Sequence, residues 1–506
     1  MARVTSRRRA RRQPAGPVQP PWRRLRNPYK PIEVLSADQI EAIHEASLRV
    51  LEELGIDIWS DVALEVLARA GADVDREGRH VRLDRGLVAE SIAHAPAEFT
   101  LTPRNPARAI TMGGDHVNFG LVGGPAHSTD LDRGRRSGVF ADTCDLIRLS
   151  QCLEVLHLVG GGPVAPTDLP VATRHLETCR ACITLTDKVW QSTSFGGIRV
   201  DDAIDMLCIA RRTSRERLAR EPGAIGNVNC NSPLRYDEPM LEGLMALARA
   251  RQPVIVTPFT LAGAMSPVTL AGALAQQNAE ALAGIALAQL VNPGTPVMYG
   301  GFTSNVDMKT GAPAFGTPEY AQAVLAGGQL ARRYRIPYRS SNVNAANVVD
   351  AQAAYESGMS LWATVMGHTN YIMHGAGWLE GGLTASFEKM IVDAEMLQMM
   401  AEFLQPIEVS DDTLGLDAIA EVGPGGHFFG AKHTLARYET AFYAPLVSDW
   451  RNFETWEESG GLSATERANA IWKQMLAEYE PPPLDPSIND ELDAFVARRK
   501  AEGGAE

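Results

Sequence analysis

The sequence predicts an α/β fold: a single (β/α)8 TIM barrel with an N-terminal helical cap and a C-terminal extension. Three observations carry that expectation. Eight short apolar runs, most of them ending among Gly, Asn, Ser or Thr, alternate with amphipathic stretches between residues 115 and 405. Strand–helix alternation returns each strand to the same sheet edge and so makes the strands parallel, and eight such units close best as a barrel. A doubly wound nucleotide-binding sheet would carry a G-x-G-x-x-G turn. Here Gly160-Gly161-Gly162 runs straight into Pro163.

Taken in order, residues 1–30 read as a disordered basic arm. Residues 1–26 hold nine arginines, Arg7, Arg8, Arg9, Arg11 and Arg12 among them, and no acid, so the net −13 of the 506-residue chain becomes −22 without them. The proline-rich stretch after that head is not the apolar core of a secretory signal, and a solvated tail is the reading such composition favours. Residues 31–114 read as the cap. Ser36 can N-cap a helix with Ile40, Ile43, Ser47 and Val50 on its apolar face, and Gly55 lies just past its end. A second helix is expected from about Asp61 to Ala70, followed by short strands near Pro96, Pro103 and Pro106.

The barrel is expected over 115–405. Its strands are Val117–Val122, Val155–Gly160, Val189–Phe195, Ala224–Cys230, Val254–Phe259, Val297–Phe302, Tyr338–Val343 and Tyr371–Gly375. Ser266-Pro267 and Thr317-Pro318 each offer an N-cap followed by proline at the first helical position. Residues 406–506 read as an extension packing on the barrel: a glycine-rich turn from Gly423 to Gly426, a Trp/Tyr-rich stretch, a linker at Pro481–Pro483 and a charged helix near 486–500.

Composition narrows the function classes. An acidic body repels phosphate backbones, which argues against nucleic acid. No apolar run reaches the roughly 18 residues of a membrane span. Six cysteines in a chain this long make no disulfide framework, and the Cys179/Cys182 pair has no second pair or His cluster to complete a zinc site. A cytoplasmic protein with reduced thiols is expected, without membrane or nucleic-acid partners, without a tightly bound metal of its own, and homo-oligomeric at this size.

In a TIM barrel the chemistry sits where strands end. Those ends supply Asn229; Phe259; Tyr299 and Phe302; Asn342 and Asn344; then His374, Trp378 and Glu380. His427, in a Gly-Gly-His-Phe-Phe string, is placed in a loop over the barrel mouth. No lysine ends a strand, which removes Schiff-base chemistry, and carboxylates and histidines are too few for a two-metal hydrolase. Neutral amides with aromatic rings suit a cation held against ring faces while another molecule performs the difficult chemistry. Each aromatic can equally be core, each Asn a turn former, and His374 a buried hydrogen-bonded histidine.

Three strings then resemble the trimethylamine methyltransferase family. They are Gly311-Ala-Pro-Ala-Phe-Gly-Thr-Pro-Glu-Tyr320, Asp350-Ala-Gln-Ala-Ala-Tyr-Glu-Ser357, and Trp378-Leu-Glu-Gly-Gly-Leu383 with Glu395-Met-Leu-Gln398. The likeness runs from about residue 35 to the C-terminus. It implies a TIM barrel that moves a methyl group from a methylated amine to the cobalt of a corrinoid (cobalamin) carried by a separate protein. The family's trimethylamine enzymes in methanogens carry pyrrolysine; this sequence has only the standard residues, with Ser340 to Asn347 as the expected equivalent segment. The resemblance therefore implies a quaternary amine such as glycine betaine as substrate. His374 and Glu380 are the expected catalytic residues, with Asn229, Phe259, Tyr299, Phe302, Asn342, Asn344, Trp378 and His427 around the substrate. The alternatives are methyl transfer from trimethylamine, transfer to a folate or thiol, and a non-catalytic binding protein for quaternary amines.

Overall fold

The computed structural model describes residues 17 and 19–505, so the arginine cluster at 7–12 lies outside the described residues. Eight parallel strands close a barrel: β1 His116–Leu121, β2 Leu158–Val159, β3 Val189–Ser192, β4 Ala224–Cys230, β5 Val254–Ala262, β6 Val297–Gly300, β7 Tyr338–Ser341 and β8 Tyr371–Ala376. Each pairs with the next, and β8 pairs with β1 through Tyr371 opposite Asn118. The β6 segment resumes after Gly301 as Phe302–Val306, still alongside β5. All eight expected strands are present.

Side chains alternate in and out along a strand, and that parity orders the interior. Leu158, Val189, Ile225, Ile255, Met298 and Tyr371 point inward and form the lower core. The hairpin Glu98–Leu101/Ile110–Gly113 packs Phe99, Leu101, Ile110 and Met112 against that core and closes the bottom of the barrel. One inward step higher, the same strands present Gln191, Asn227, Thr257 and Gly300. A Cβ on Gly300 would lie 2.0 Å from Thr257 Oγ1, so only glycine fits beside that inward hydroxyl.

The helices follow their caps. Ser36 makes a full capping box with Gln39 at the start of Ala37–Arg49, and Thr317 accepts the Tyr320 N–H ahead of Pro318–Tyr334. Ser266 does not begin a helix. Its carbonyl accepts the Gly263 N–H in a loop bridge, and the helix starts only at Leu270. That helix, Leu270–Val291, is the hub on which the N-terminal helices Ala37–Arg49 and Arg85–Ala93 pack. At the other end of the chain, Ala464–Ala477 packs on Phe387–Phe403, and Pro486–Ala501 packs on Gly197–Arg211.

The N-terminal segment departs from the expected arm. Gln19 to Tyr29 lie against the barrel: Leu25 pairs with Val117, Trp22 packs on the lower core, and Arg23 bridges to Glu402 at 2.5 Å. A few apolar side chains among the prolines and arginines suffice to hold this stretch down. No helix among the described residues is long and apolar enough to cross a membrane.

Candidate active site

A cavity of about 610 Å³ opens at the C-terminal face of the barrel. Its floor is the inward layer of Gln191, Asn227, Thr257 and Arg339, and its wall is built one inward step higher by Asn229, Phe259, Phe302 and Trp378, with His374 beside them. The floor is internally bonded: Thr257 Oγ1 donates to Asn227 Oδ1 at 2.9 Å, and Asn227 Nδ2 donates to Asn229 Oδ1 at 2.9 Å.

Arg339 is the charge in this cavity. It is 2% exposed, and among the described residues no carboxylate pairs with it. Nη2 donates to the Met373 sulfur, while Nε and Nη1 have no partner. Its guanidinium carbon sits 5.3 Å from the Phe302 ring centroid. Burial holds the guanidinium down to about 10, with only neutral tyrosines nearby to offset it. A buried, under-bonded cation is costly unless an anion completes it. The cavity lining contains no Asp or Glu to do so.

The aromatic wall centres on Phe302. Its ring lies 5.1 Å from Phe259, 6.2 Å from Trp378 and 5.8 Å from Phe315, which backs the wall without lining the cavity. His374 packs on Trp378 with ring centroids 4.1 Å apart and planes tilted by 47°. Its Nδ1 accepts the Gly123 N–H at 3.3 Å, which leaves the proton on Nε2. Burial, and then Arg339, push its pKa well below the ordinary histidine value, so the ring is neutral.

The structure divides the residues expected from sequence. Asn229, Phe259, Phe302, His374 and Trp378 line the cavity. Tyr299 does not, because it is one residue out of phase with Met298 and Gly300. It faces the outer helix, where its hydroxyl donates to Asn278 Oδ1 at 3.1 Å and accepts from Gln277 at 3.2 Å. Asn342 and Asn344 likewise lie behind the wall and hold the turn after β8. Asn342 Nδ2 donates to the Gly375 carbonyl at 2.9 Å, and Asn344 donates to the Trp378 carbonyl at 2.9 Å while its own carbonyl accepts the Trp378 indole N–H at 3.2 Å.

Glu380 does not face the cavity either. Arg135, from the loop after β1, engages it with Nε at 2.8 Å, so its charge is compensated away from the rings. His427 is exposed on the C-terminal extension, with its nearest ring partner Phe429 at 6.0 Å, and it does not line the cavity.

Two features of the cavity lie outside the expectations from sequence. Arg339 sits inside a strand between Tyr338 and Ser340, and an arginine in a run meant for the barrel interior was the available signal. The other is the backbone at His374, which has φ +57°. That left-handed residue breaks the alternation of β8, so Met373 and His374 both reach the cavity. No sequence pattern marks it beyond the following Gly375. No group of three or more His, Cys, Asp or Glu residues suited to a metal occurs among the described residues.

Comparison with known proteins agrees with this architecture. The family model described as trimethylamine methyltransferase (MTTB) matches residues 2–504. A glycine betaine methyltransferase of Desulfitobacterium hafniense (strain Y51) is 40% identical over 474 residues, spanning 94% of this chain and 98% of that protein. A trimethylamine methyltransferase of the same species (strain DSM 10664 / DCB-2) is 31% identical over 471 residues, spanning 93% and 94%. Among solved structures, the monomethylamine methyltransferase of Methanosarcina barkeri matches with a TM-score of 0.50 at 10% identity over 90% of both chains, a likeness of fold.

Proposed function

This chain belongs to the trimethylamine methyltransferase family, and we propose that its cavity takes a zwitterionic quaternary amine of the glycine betaine type and delivers one methyl group to a corrinoid carried by a separate protein. The observation that carries this reading is Arg339, a buried guanidinium that lines the cavity with Nε and Nη1 unpartnered and lies over the Phe302 ring, beside the aromatic wall. A carboxylate completes the guanidinium through charge-assisted hydrogen bonds. The trimethylammonium end then lies against Phe259, Phe302 and Trp378, each ring face worth about 0.5–2 kcal/mol. A substrate with positive charge alone, such as choline or protonated trimethylamine, meets Arg339 as a like charge with no acid in the lining to offset it.

Within this chain the residues bind and aim. A quaternary ammonium already carries a neutral amine as its leaving group, so no general acid is required, and a neutral His374 fits that need. His374 Nε2–H is a second donor for the carboxylate or its bound water. The lining offers no thiol, primary amine or carboxylate to receive a methyl group, so the acceptor arrives from outside, past the exposed Phe195 and Leu383 at the mouth. The corrinoid, when its carrier is docked, supplies a cobalt(I) nucleophile. Holding the ammonium with one methyl toward the mouth is the positional contribution of the barrel.

The experiment is methyl transfer to reduced cob(I)alamin, followed by its visible spectrum, with glycine betaine, choline and trimethylamine, beside calorimetric binding of each. Turnover and binding with glycine betaine alone are expected. Arg339→Met should weaken that binding by about 30- to 4,000-fold, since truncating one partner of a buried charge pair costs about 2–5 kcal/mol. The same variant should melt no lower than wild type, because it removes an uncompensated buried charge from the free protein. Equal use of choline and glycine betaine, or undiminished glycine betaine binding in Arg339→Met, overturns the assignment.

A further inference from the structure

A second cavity, of about 300 Å³, lies beside the substrate cavity, between the loops that follow β2 and β3. Gly161, Gln191, Thr193 and Phe195 line both spaces, so the two join where β3 ends. A Cβ on Gly161 would fall 3.1 Å from the Gln191 carbonyl oxygen and 3.4 Å from its Nε2, so a side chain there would crowd the residue at the junction. On its outer side this annex is bordered by Val171, which is exposed.

The annex combines a basic rim with a buried acceptor. Helices Arg174–Leu185 and Gly197–Arg211 begin at its lining, neither with a side-chain cap, so two positive helix ends lie there. Their first turns supply Arg174 and Arg199. Arg199 donates to the Phe195 and Ala505 carbonyls at 3.2 and 2.9 Å, and neither arginine pairs with a carboxylate among the described residues. His175 is 7% exposed. Its Nε2 donates to Asp202 at 2.9 Å, and Arg499 donates to the same carboxylate at 2.6 Å. That leaves Nδ1 as a lone pair without a partner, on a residue that lines the annex. Cys179 and Cys182 line it too. Burial pushes both thiols up, Cys179 to about 12, so they add apolar surface rather than a nucleophile.

We propose that the annex binds the protonated tertiary amino acid left after methyl transfer and lets it leave while the corrinoid carrier covers the mouth, an inference that rests on the proposed substrate. When the C–N bond breaks, its electron pair stays on nitrogen, and the amine then takes a proton from water. The product (dimethylglycine, for glycine betaine) therefore carries one N–H donor that its substrate lacks. His175 Nδ1 accepts that N–H, and Asp202 behind the ring strengthens it as an acceptor. The product carboxylate meets Arg174 and the two helix ends. A quaternary ammonium in the same place leaves Nδ1 buried and unsatisfied, which costs affinity. The substrate cavity thus selects by ring faces, and the annex by a single hydrogen bond.

Calorimetric titration of dimethylglycine into the full-length protein tests this in two settings: wild type saturated with glycine betaine, and Arg339→Met. Binding is expected in both, since each leaves the annex open. His175→Phe removes the acceptor and should weaken that binding about 10- to 150-fold, with the affinity for glycine betaine unchanged. Arg174→Gln, at the half-buried rim, keeps the test should the first variant not fold, and should weaken it about two- to fivefold. Complete displacement of dimethylglycine by glycine betaine, binding that neither variant alters, or a second glycine betaine site of equal affinity overturns the proposal. Dimethylglycine binding that needs His175 in a protein that ignores glycine betaine supports the annex and overturns only the substrate assignment, which tells the two failures apart.

Discussion

The two sides of the cavity wall are built by different means. On the β4–β6 side, plain alternation delivers the lining: Ile225, Asn227 and Asn229; Ile255, Thr257 and Phe259; Met298, Gly300 and Phe302 rise inward in steps of two. On the β8 side the lining depends on a left-handed residue, His374, and on a buried polar network behind it. Asn342 and Asn344 hold the carbonyls of Gly375 and Trp378, Asp393 accepts the Gly377 N–H at 2.9 Å, and Lys389 bonds both Asp393 and, at 2.8 Å, Ser357. Gly382 then crosses so close to Trp378 that a Cβ there would fall 2.5 Å from the indole ring. One side is robust because the strand itself sets it. The other is aimed by hydrogen bonds in a dry interior, where an unmet partner is expensive.

The contrast predicts unequal responses to substitution. Asp393→Ala should have the largest effect. It strands the Lys389 ammonium and the Gly377 N–H, and breaking a buried pair from one side costs about 3–5 kcal/mol. Chemical denaturation should show that loss, and binding should fall with it as His374 and Trp378 lose their frame. Undiminished stability in Asp393→Ala would mean that the β8 turn holds itself.

Acid should act next in size, and on the same principle. Burial holds His157, below β2, down to about 4, and lowers His374 still more clearly in direction. Both folded values lie under the unfolded value of about 6.5, so the unfolded chain binds the extra protons. The contribution is fully present above pH 6.5 and is lost as pH falls toward the folded values, at about 1.4 kcal/mol per pH unit for each histidine. Denaturation midpoints between pH 7.5 and 5 should fall accordingly, and less steeply in His157→Gln. Identical slopes in the variant would remove His157 from the account.

Phe302→Leu should have the smallest effect. It keeps the inward parity and most of the volume, and it removes one ring face worth about 0.5–2 kcal/mol to a bound ammonium. A KM for glycine betaine raised several-fold with kcat nearly unchanged is expected; a collapse of kcat with unchanged KM would place Phe302 in the reaction geometry instead.

The sequence by itself determined the eight strands, their parallel order and most of the helix starts, because apolar periodicity and caps such as Ser36 and Thr317 are local and the barrel follows from repeating one local unit. It also brought Phe259, Phe302, His374 and Trp378 to one end of the barrel. Tertiary structure alone decided which strand-end residues face inward. Parity is a matter of one residue, finer than boundaries read from sequence allow, and it sent Tyr299, Asn342 and Asn344 behind the wall. It also decided which charges remain free. Glu380 is compensated by Arg135 from the far loop after β1, while Arg339 meets no acid among the described residues, and neither outcome can be read from neighbours along the chain because both depend on residues brought together only when the barrel closes.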